Sequence, residues 1–276
     1  MSSAGLSRPS HFDTSAKATA SSKTVDNALN ILDFLGIFGG QVGIRDMAEY
    51  LGINRSSTHR LLVTLERHGY VAQDPNTDKY QLGMRVFEAG AVVLNQMSFR
   101  AAARPHIEYL ARETGEVVHL AVENGNQCVY IDKVEGIQHI PMGSQLGWRR
   151  PLYCTGIGKA LLANLPDQRI EQYLRDTKLL PLTPQTITDT NALRAELMRI
   201  RATGIAYDSE EIELGLSCVA AVVRGTNGQL VGAISVAGPT TRVNEEEVKR
   251  IKQLVLGAAE LVSSGLVTAC TQPKHL

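Results

Sequence analysis

The stretch from Ile44 to Leu82, IRDMAEYLGINRSSTHRLLVTLERHGYVAQDPNTDKYQL, constrains this chain more than any other. Its pattern predicts two short helices joined by a tight turn and followed by a β-ribbon. Ala48 and Gly52 stand one helical turn apart. Alanine at a helix–helix contact permits close crossing, and Gly52 supplies the positive φ that such a turn demands. Asn54 is placed to cap the second helix through its side-chain oxygen. That helix carries Arg55, Ser56, Ser57, His59, Arg60 and Arg67, while Leu61, Leu62 and Leu65 gather on its other side. One face packs and the other is basic and hydroxyl-rich, as a helix entering a DNA major groove requires.

The 276 residues carry no net charge, so a generally basic coat for nucleic acid is excluded and the placement of charge decides. From Asn54 to His68 the basic residues face one acid, Glu66. A small basic face makes few phosphate contacts, which points to a dimer on a pseudo-palindromic operator. The cysteines Cys128, Cys154, Cys218 and Cys270 form no C-x-x-C pair; reduced thiols in a cytoplasmic protein are expected. No run has the length of a membrane span, and no signal peptide is read at the N-terminus.

Residues 1–22 read as a disordered tail, rich in Ser, Ala and Thr. Residues 23–84 read as a winged helix-turn-helix domain, mainly α with a β-wing around Asp74–Asp78. Residues 85–98 read as a linker helix, and residues 99–270 as an α+β domain with an antiparallel sheet. In the last, Asn124-Gly125-Asn126 and Thr226-Asn227-Gly228-Gln229 mark hairpins, and helices are expected at 155–165, 168–175, 191–201 and 244–264.

Arg55 and Ser57 are expected at base edges, Arg60 at a base or phosphate, and Arg45 and Lys79 at phosphates. Ser56 and His59 share the basic face. In the second domain Thr155 caps a helix whose first turn, Gly156-Ile157-Gly158, offers backbone N–H groups to a carboxylate ligand, with the small glycines admitting it. Met142 and His139 are read on a strand before this motif, with Met142 on the pocket wall. Asp208, Glu210, Glu211 and Glu213 read as a solvated strand edge with one ligand or hinge contact from Asp208. A thiol at a helix start is activated when a histidine pairs with it, so Cys154 with His119, His106 or His139 keeps an enzyme reading open, and the same histidines a metal site. Neither has a local signature. No catalytic residue, cofactor or metal is expected.

The chain resembles the IclR family of bacterial transcriptional regulators. The resemblance rests on Ser57-Thr58-His59-Arg60-Leu61-Leu62 with Leu65, Gly69, Tyr70 and Val71; on Pro151 to Ala163, PLYCTGIGKALLA; on Gly204 to Glu211 leading to Gly215-Leu216-Ser217-Cys218-Val219-Ala220; and on Gly232 to Pro239, GAISVAGP. It implies a GAF-like α+β effector domain, dimers or dimers of dimers, and control of a catabolic operon by a small organic acid, including aromatic ones. It also implies that Gly156, Ile157, Asp208, Cys218 and Ser235 border the effector. Ile157 and Ala237 depart from members with Ala and Ser there, which implies a more apolar or differently shaped ligand than a small oxoacid. A constitutive DNA-binding protein whose second domain only oligomerises is the remaining alternative.

Overall fold

The structure is a computed structural model describing residues 22–137 and 143–271. The chain forms two compact units that change over between Gln96 and Met97.

The first unit contains α1 (Lys23–Phe38), α2 (Ile44–Leu51), α3 (Arg55–Arg67), β1 (Val71–Gln73), β2 (Tyr80–Leu82) and α4 (Met84–Gln96). Ile31, Phe34 and Leu35 of α1 repeat at helical spacing and close on Met47 of α2 and Leu62 of α3. Gly52, at φ 65°, ends α2 in the left-handed region. The Asn54 Oδ1 accepts the Ser57 N–H at 2.7 Å and opens α3. The wing strands pair antiparallel, Val71 opposite Leu82. A bridge between Val42 and Tyr80 ties the wing to the segment between α1 and α2. The wing tip is clasped as well, since Gln41 Nε2 donates to Asp74 Oδ2 at 2.8 Å.

The second unit opens with α5 (Ser98–Thr114), then β3 (Val117–Asn124), β4 (Gln127–Val134), β5 (Arg149–Pro151), α6 (Gly156–Ala163), α7 (Asp167–Asp176), α8 (Thr190–Thr203), β6 (Ala206–Ser209), β7 (Leu216–Arg224), β8 (Leu230–Pro239) and α9 (Glu245–Thr271). Six strands form one sheet in the order β5-β4-β3-β8-β7-β6, and every neighbouring pair is antiparallel. The β3–β4 hairpin closes at the Asn124–Gln127 pair, with Gly125 and Asn126 both at positive φ, the turn that matches strand twist. Helices α5 and α9 lie against each other and the sheet. On the sheet face that meets α6, Ala121, Ala206, Ala220 and Ala233 keep side chains small, which lets a fully buried helix settle on the strands.

Lysine is the exception in that buried helix. Lys159 is fully buried, and its ammonium bonds the Tyr207 carbonyl at 2.8 Å and the Glu211 carboxylate. The loop carrying Glu211 is pinned twice more, by Thr183 Oγ1 on the Glu210 carbonyl and Thr186 Oγ1 on the Glu211 carbonyl, each at 2.6 Å. Removing one member of a buried ion pair strands the other charge, at a cost of about 3–5 kcal/mol, whereas replacing both by apolar groups is often tolerated. Lys159→Met is therefore expected to destabilise the protein by about that amount in urea unfolding, and Lys159→Met with Glu211→Leu to recover most of the loss. A double variant as unstable as the single one would deny that stranded charge is the cause.

Candidate functional site

Two separate sites emerge, one in each unit. In the first, α3 turns Thr58 and Leu62 fully into the core, with Leu61 and Leu65 half-buried beside them. A helix advances 100° per residue, so Ser56, Arg60, Val63 and Arg67 lie opposite that buried stripe. Arg55, Ser56, His59 and Arg60 are exposed, as are Arg45 at the start of α2 and Lys79 at the wing; Ser57 is half-buried. Among the described residues none of Arg45, Arg55, Arg60, Arg67 and Lys79 forms an ion pair. This contrasts with Arg85 of α4, paired to Glu88 at 2.7 Å. The basic groups thus keep their charge for an outside partner.

The second site is a cavity of about 400 Å³ in the α+β unit. Thr155, Ile157, Asp208, Cys218 and Ser235 all line it. Gly156 does not: it is buried, and a Cβ there would stand 3.0 Å from the Cys218 sulfur and 3.1 Å from its carbonyl oxygen. Its smallness lets α6 touch β7 and does not admit a ligand, which corrects the sequence reading. Met142 and His139 lie outside the described residues.

The first turn of α6 is occupied by the protein itself. Asp208 lies beside the Gly156 N–H and Cys218 beside the Ile157 N–H, each close enough for the N–H to favour the ionised form. The Gly158 N–H bonds Thr155 Oγ1 at 3.0 Å. The anion expected at this helix start is therefore an internal one, the side chain of Asp208. Nor is the acidic cluster solvated: Asp208 is 1% and Glu211 6% exposed, and only Glu213 of the four is open to solvent. A partner distant in sequence, Lys159, lets Glu211 be buried, and the Glu211 N–H bonds Asp208 Oδ1 at 2.8 Å.

Burial pushes the Asp208 carboxyl up to about 7, against the backbone bonds from Glu211 and Gly156 and helped by the Glu211 charge. Burial also raises Glu211 above the usual carboxylate range despite the Lys159 ammonium. Near neutrality Asp208 is thus present in part as a proton donor facing the cavity. Cys218 is pushed up to about 12 by burial, and burial also raises Cys154 far above an ordinary thiol. Neither is a thiolate, so the helix start does not activate Cys154.

Sequence reasoning reaches Trp148, whose loop leads to the start of α6, but not the His119, Tyr130 and Arg150 side chains of the opposite wall. His119 stacks on Tyr130 at 4.6 Å and bonds Ser144 Oγ through Nε2 at 2.8 Å. Burial, with Lys133 and Arg150 nearby, holds its imidazole down to about 3, hence neutral. It does not pair with Cys154. Trp148 and Arg150 complete this side, the Arg150 guanidinium lying 4.7 Å from the indole centre. Among the described residues no group of three His, Cys, Asp or Glu side chains is placed to hold a metal, and no helix is long and apolar enough to cross a membrane.

Known proteins agree with this architecture. Residues 24–75 match the IclR helix-turn-helix domain and residues 91–264 the C-terminal domain of the bacterial transcriptional regulator IclR. The HTH-type transcriptional regulator XynR of Escherichia coli K12 is 34% identical, over 88% of this chain and 97% of XynR. The crystal structure of the Thermotoga maritima IclR superposes with a TM-score of 0.73 at 36% identity, covering 88% of this chain and 98% of the other. An IclR homologue from Microbacterium hydrocarbonoxydans, solved in complex with 4-hydroxybenzoate, shares the fold with a TM-score of 0.78 at 22% identity, over 89% and 99% of the two chains. With a winged helix-turn-helix, an α+β effector domain and relatives that are regulators and not enzymes, the chain belongs to the IclR family of bacterial DNA-binding transcriptional regulators.

Proposed function

We propose that this regulator controls a catabolic operon in response to a small organic acid that enters the cavity between Asp208 and Trp148. The observation that carries the reading is the cavity itself: buried polar groups, Asp208, Cys218 and Ser235, converge on a space that Tyr130, Trp148, Ile157 and Arg150 also bound. The Microbacterium hydrocarbonoxydans homologue, crystallised with 4-hydroxybenzoate, supports an aromatic acid as one class. Residues 23–84 read the operator, 85–98 link the domains and 99–270 hold the effector and the oligomer contacts. The effector favours one conformation of its domain and so shifts the population competent for DNA.

At the operator, Arg60 is the leading contact, because it stands at the centre of the exposed face of α3 and forms no ion pair among the described residues. Arg55 and Ser56 flank it at the helix start, with Ser57 and His59 at its margins, and Arg45 and Lys79 hold phosphates. Helix α4 leaves Met84, Phe87, Val92 and Val93 exposed, apolar surface spread around the helix that a second copy of the chain would cover. A dimer, or a dimer of dimers, sets two α3 helices on a pseudo-palindrome.

Arg60→Ala is expected to remove operator binding in gel-shift titrations at moderate salt. Arg55→Ala is expected to lose about 1–3 kcal/mol and relax preference at one position in each half-site. Unchanged affinity in both variants would exclude α3 as the reader. Sedimentation at micromolar concentration is expected to show a dimer or tetramer; a monomer bound tightly to one half-site would refute the paired arrangement.

Effector binding is expected to depend on pH through Asp208. Around it stand the Gly156 N–H and Lys159 of α6, Glu211 of the following loop and Cys218 of β7. An organic acid is ionised above about pH 5, and the cavity-wall carboxyl raised to about 7 is Asp208. Protonated, it adds no negative charge to the cavity; ionised, it puts one in the same small space as the anionic ligand. Affinity measured by calorimetry is expected to be level below about pH 7 and to fall above it by up to about tenfold per unit, with Asp208→Asn flattening the profile. A profile that rises with pH would overturn this role.

A further inference from the structure

The two charged ends of the cavity sit on the two outermost strands, Arg150 on β5 and Asp208 on β6, so a single occupant has to satisfy both. Strand alternation sends neighbouring arginines to opposite sides. Arg149 reaches the hairpin tip and is bonded there to the Asn124 carbonyl and side chain at 3.1 and 2.9 Å. Arg150 turns into the cavity, stacks on Trp148 and has no carboxylate in ion-pair contact among the described residues. The other buried cation near the site, Lys159, is fully committed to Glu211 and Tyr207. Of the remaining titratable groups on the wall, His119 is neutral, Asp208 is shared between acid and carboxylate, and Glu213 lies open to solvent.

We infer that Arg150, held over the Trp148 ring at 4.7 Å from its centre, is the anion-binding group of this cavity and selects effectors that carry a carboxylate at one end and an uncharged hydroxyl at the other. The inference rests on the cavity being the effector site. A guanidinium offers a carboxylate two parallel charge-assisted hydrogen bonds, which hydroxyl, thiol and neutral carboxyl donors do not match. The Trp148 face keeps the fork oriented. The carboxylate therefore goes to β5, and the opposite end of the ligand meets Asp208, Ser235 and Cys218, which suit a hydroxyl and disfavour a second negative charge. Hydroxy acids are favoured over their amides and over diacids.

The test uses the full chain and matched probes: 3-hydroxybenzoate against 3-hydroxybenzamide, and 3-hydroxybutyrate against 3-hydroxybutyramide. Trp148 is the chain's only tryptophan, so its fluorescence reports occupancy in the wild type, with calorimetry for the variants. At least one carboxylate is expected to saturate the Trp148 signal and to bind ten times more tightly than its amide. Arg150→Gln is expected to erase that preference and Arg150→Lys to restore part of it. A carboxylate and amide that bind equally to the wild type, a comparison that needs no variant, would overturn the role of Arg150 and leave the effector site standing. So would an Arg150→Gln protein that keeps the preference. If none of the four probes perturbs Trp148 or gives heat with the wild type, the cavity reading fails and the Arg150 proposal fails with it.

Discussion

Helix α6 is buried along its whole length, and the amides of its first turn have no water to turn to. An unpaired N–H in such a place costs on the order of 1–3 kcal/mol, so the sheet beneath must supply acceptors. Thr155, the residue that caps the helix, takes the Gly158 N–H, and the sheet sets the Asp208 carboxyl and the Cys218 sulfur beside the Gly156 and Ile157 N–H groups. Much of the second unit follows from this. Asp208 has to lie under the helix, which sets the course of β6. The loop after β6 has to fold back, which brings Glu211 to Lys159. The cavity is the space left beside these commitments, bounded by groups whose first duty is to hold a helix end.

That double use explains the altered chemistry of the site. A carboxyl that accepts backbone bonds would ordinarily titrate low, yet burial wins here and lifts Asp208 to about 7. The balance is close because the two effects oppose each other in the same side chain. Any change in the hydration of the cavity therefore shifts the charge of a group already tied to α6 and, through Glu211, to Lys159. Ligand binding changes that hydration.

Much of the fold was legible from local pattern. Gly52 and Asn54 announce the turn and cap, and the Asn124-Gly125-Asn126 hairpin is read from three residues. Thr155 is legible as a helix cap, whereas Ile157, Asp208, Cys218 and Ser235 are reached through family resemblance, because nothing local to each one says that the strands bring them together. The failures have one physical origin. The burial of Asp208 and Glu211 depends on Lys159, 52 residues before Glu211 in the chain, and a tertiary ion pair leaves no periodic trace. Gly156 was read as an opening for ligand, since a sequence does not show that the Cys218 strand fills the space. β5 is three residues long and contains Pro151, too short to reveal that Arg149 and Arg150 point apart.

The clasp between Gln41 and Asp74, with the Val42–Tyr80 bridge, has a thermodynamic consequence for operator binding. A wing tied at its base and tip to the body of its domain loses little backbone freedom when it meets a phosphate. The entropy of ordering has been spent during folding. Association should then lack the large negative heat-capacity change that accompanies coupled folding, and it should be driven mainly by direct contacts and by the entropy of released counterions. The recognition helix and wing meet DNA as one stiff surface, so a misplaced half-site is resisted by bending the duplex before the protein yields.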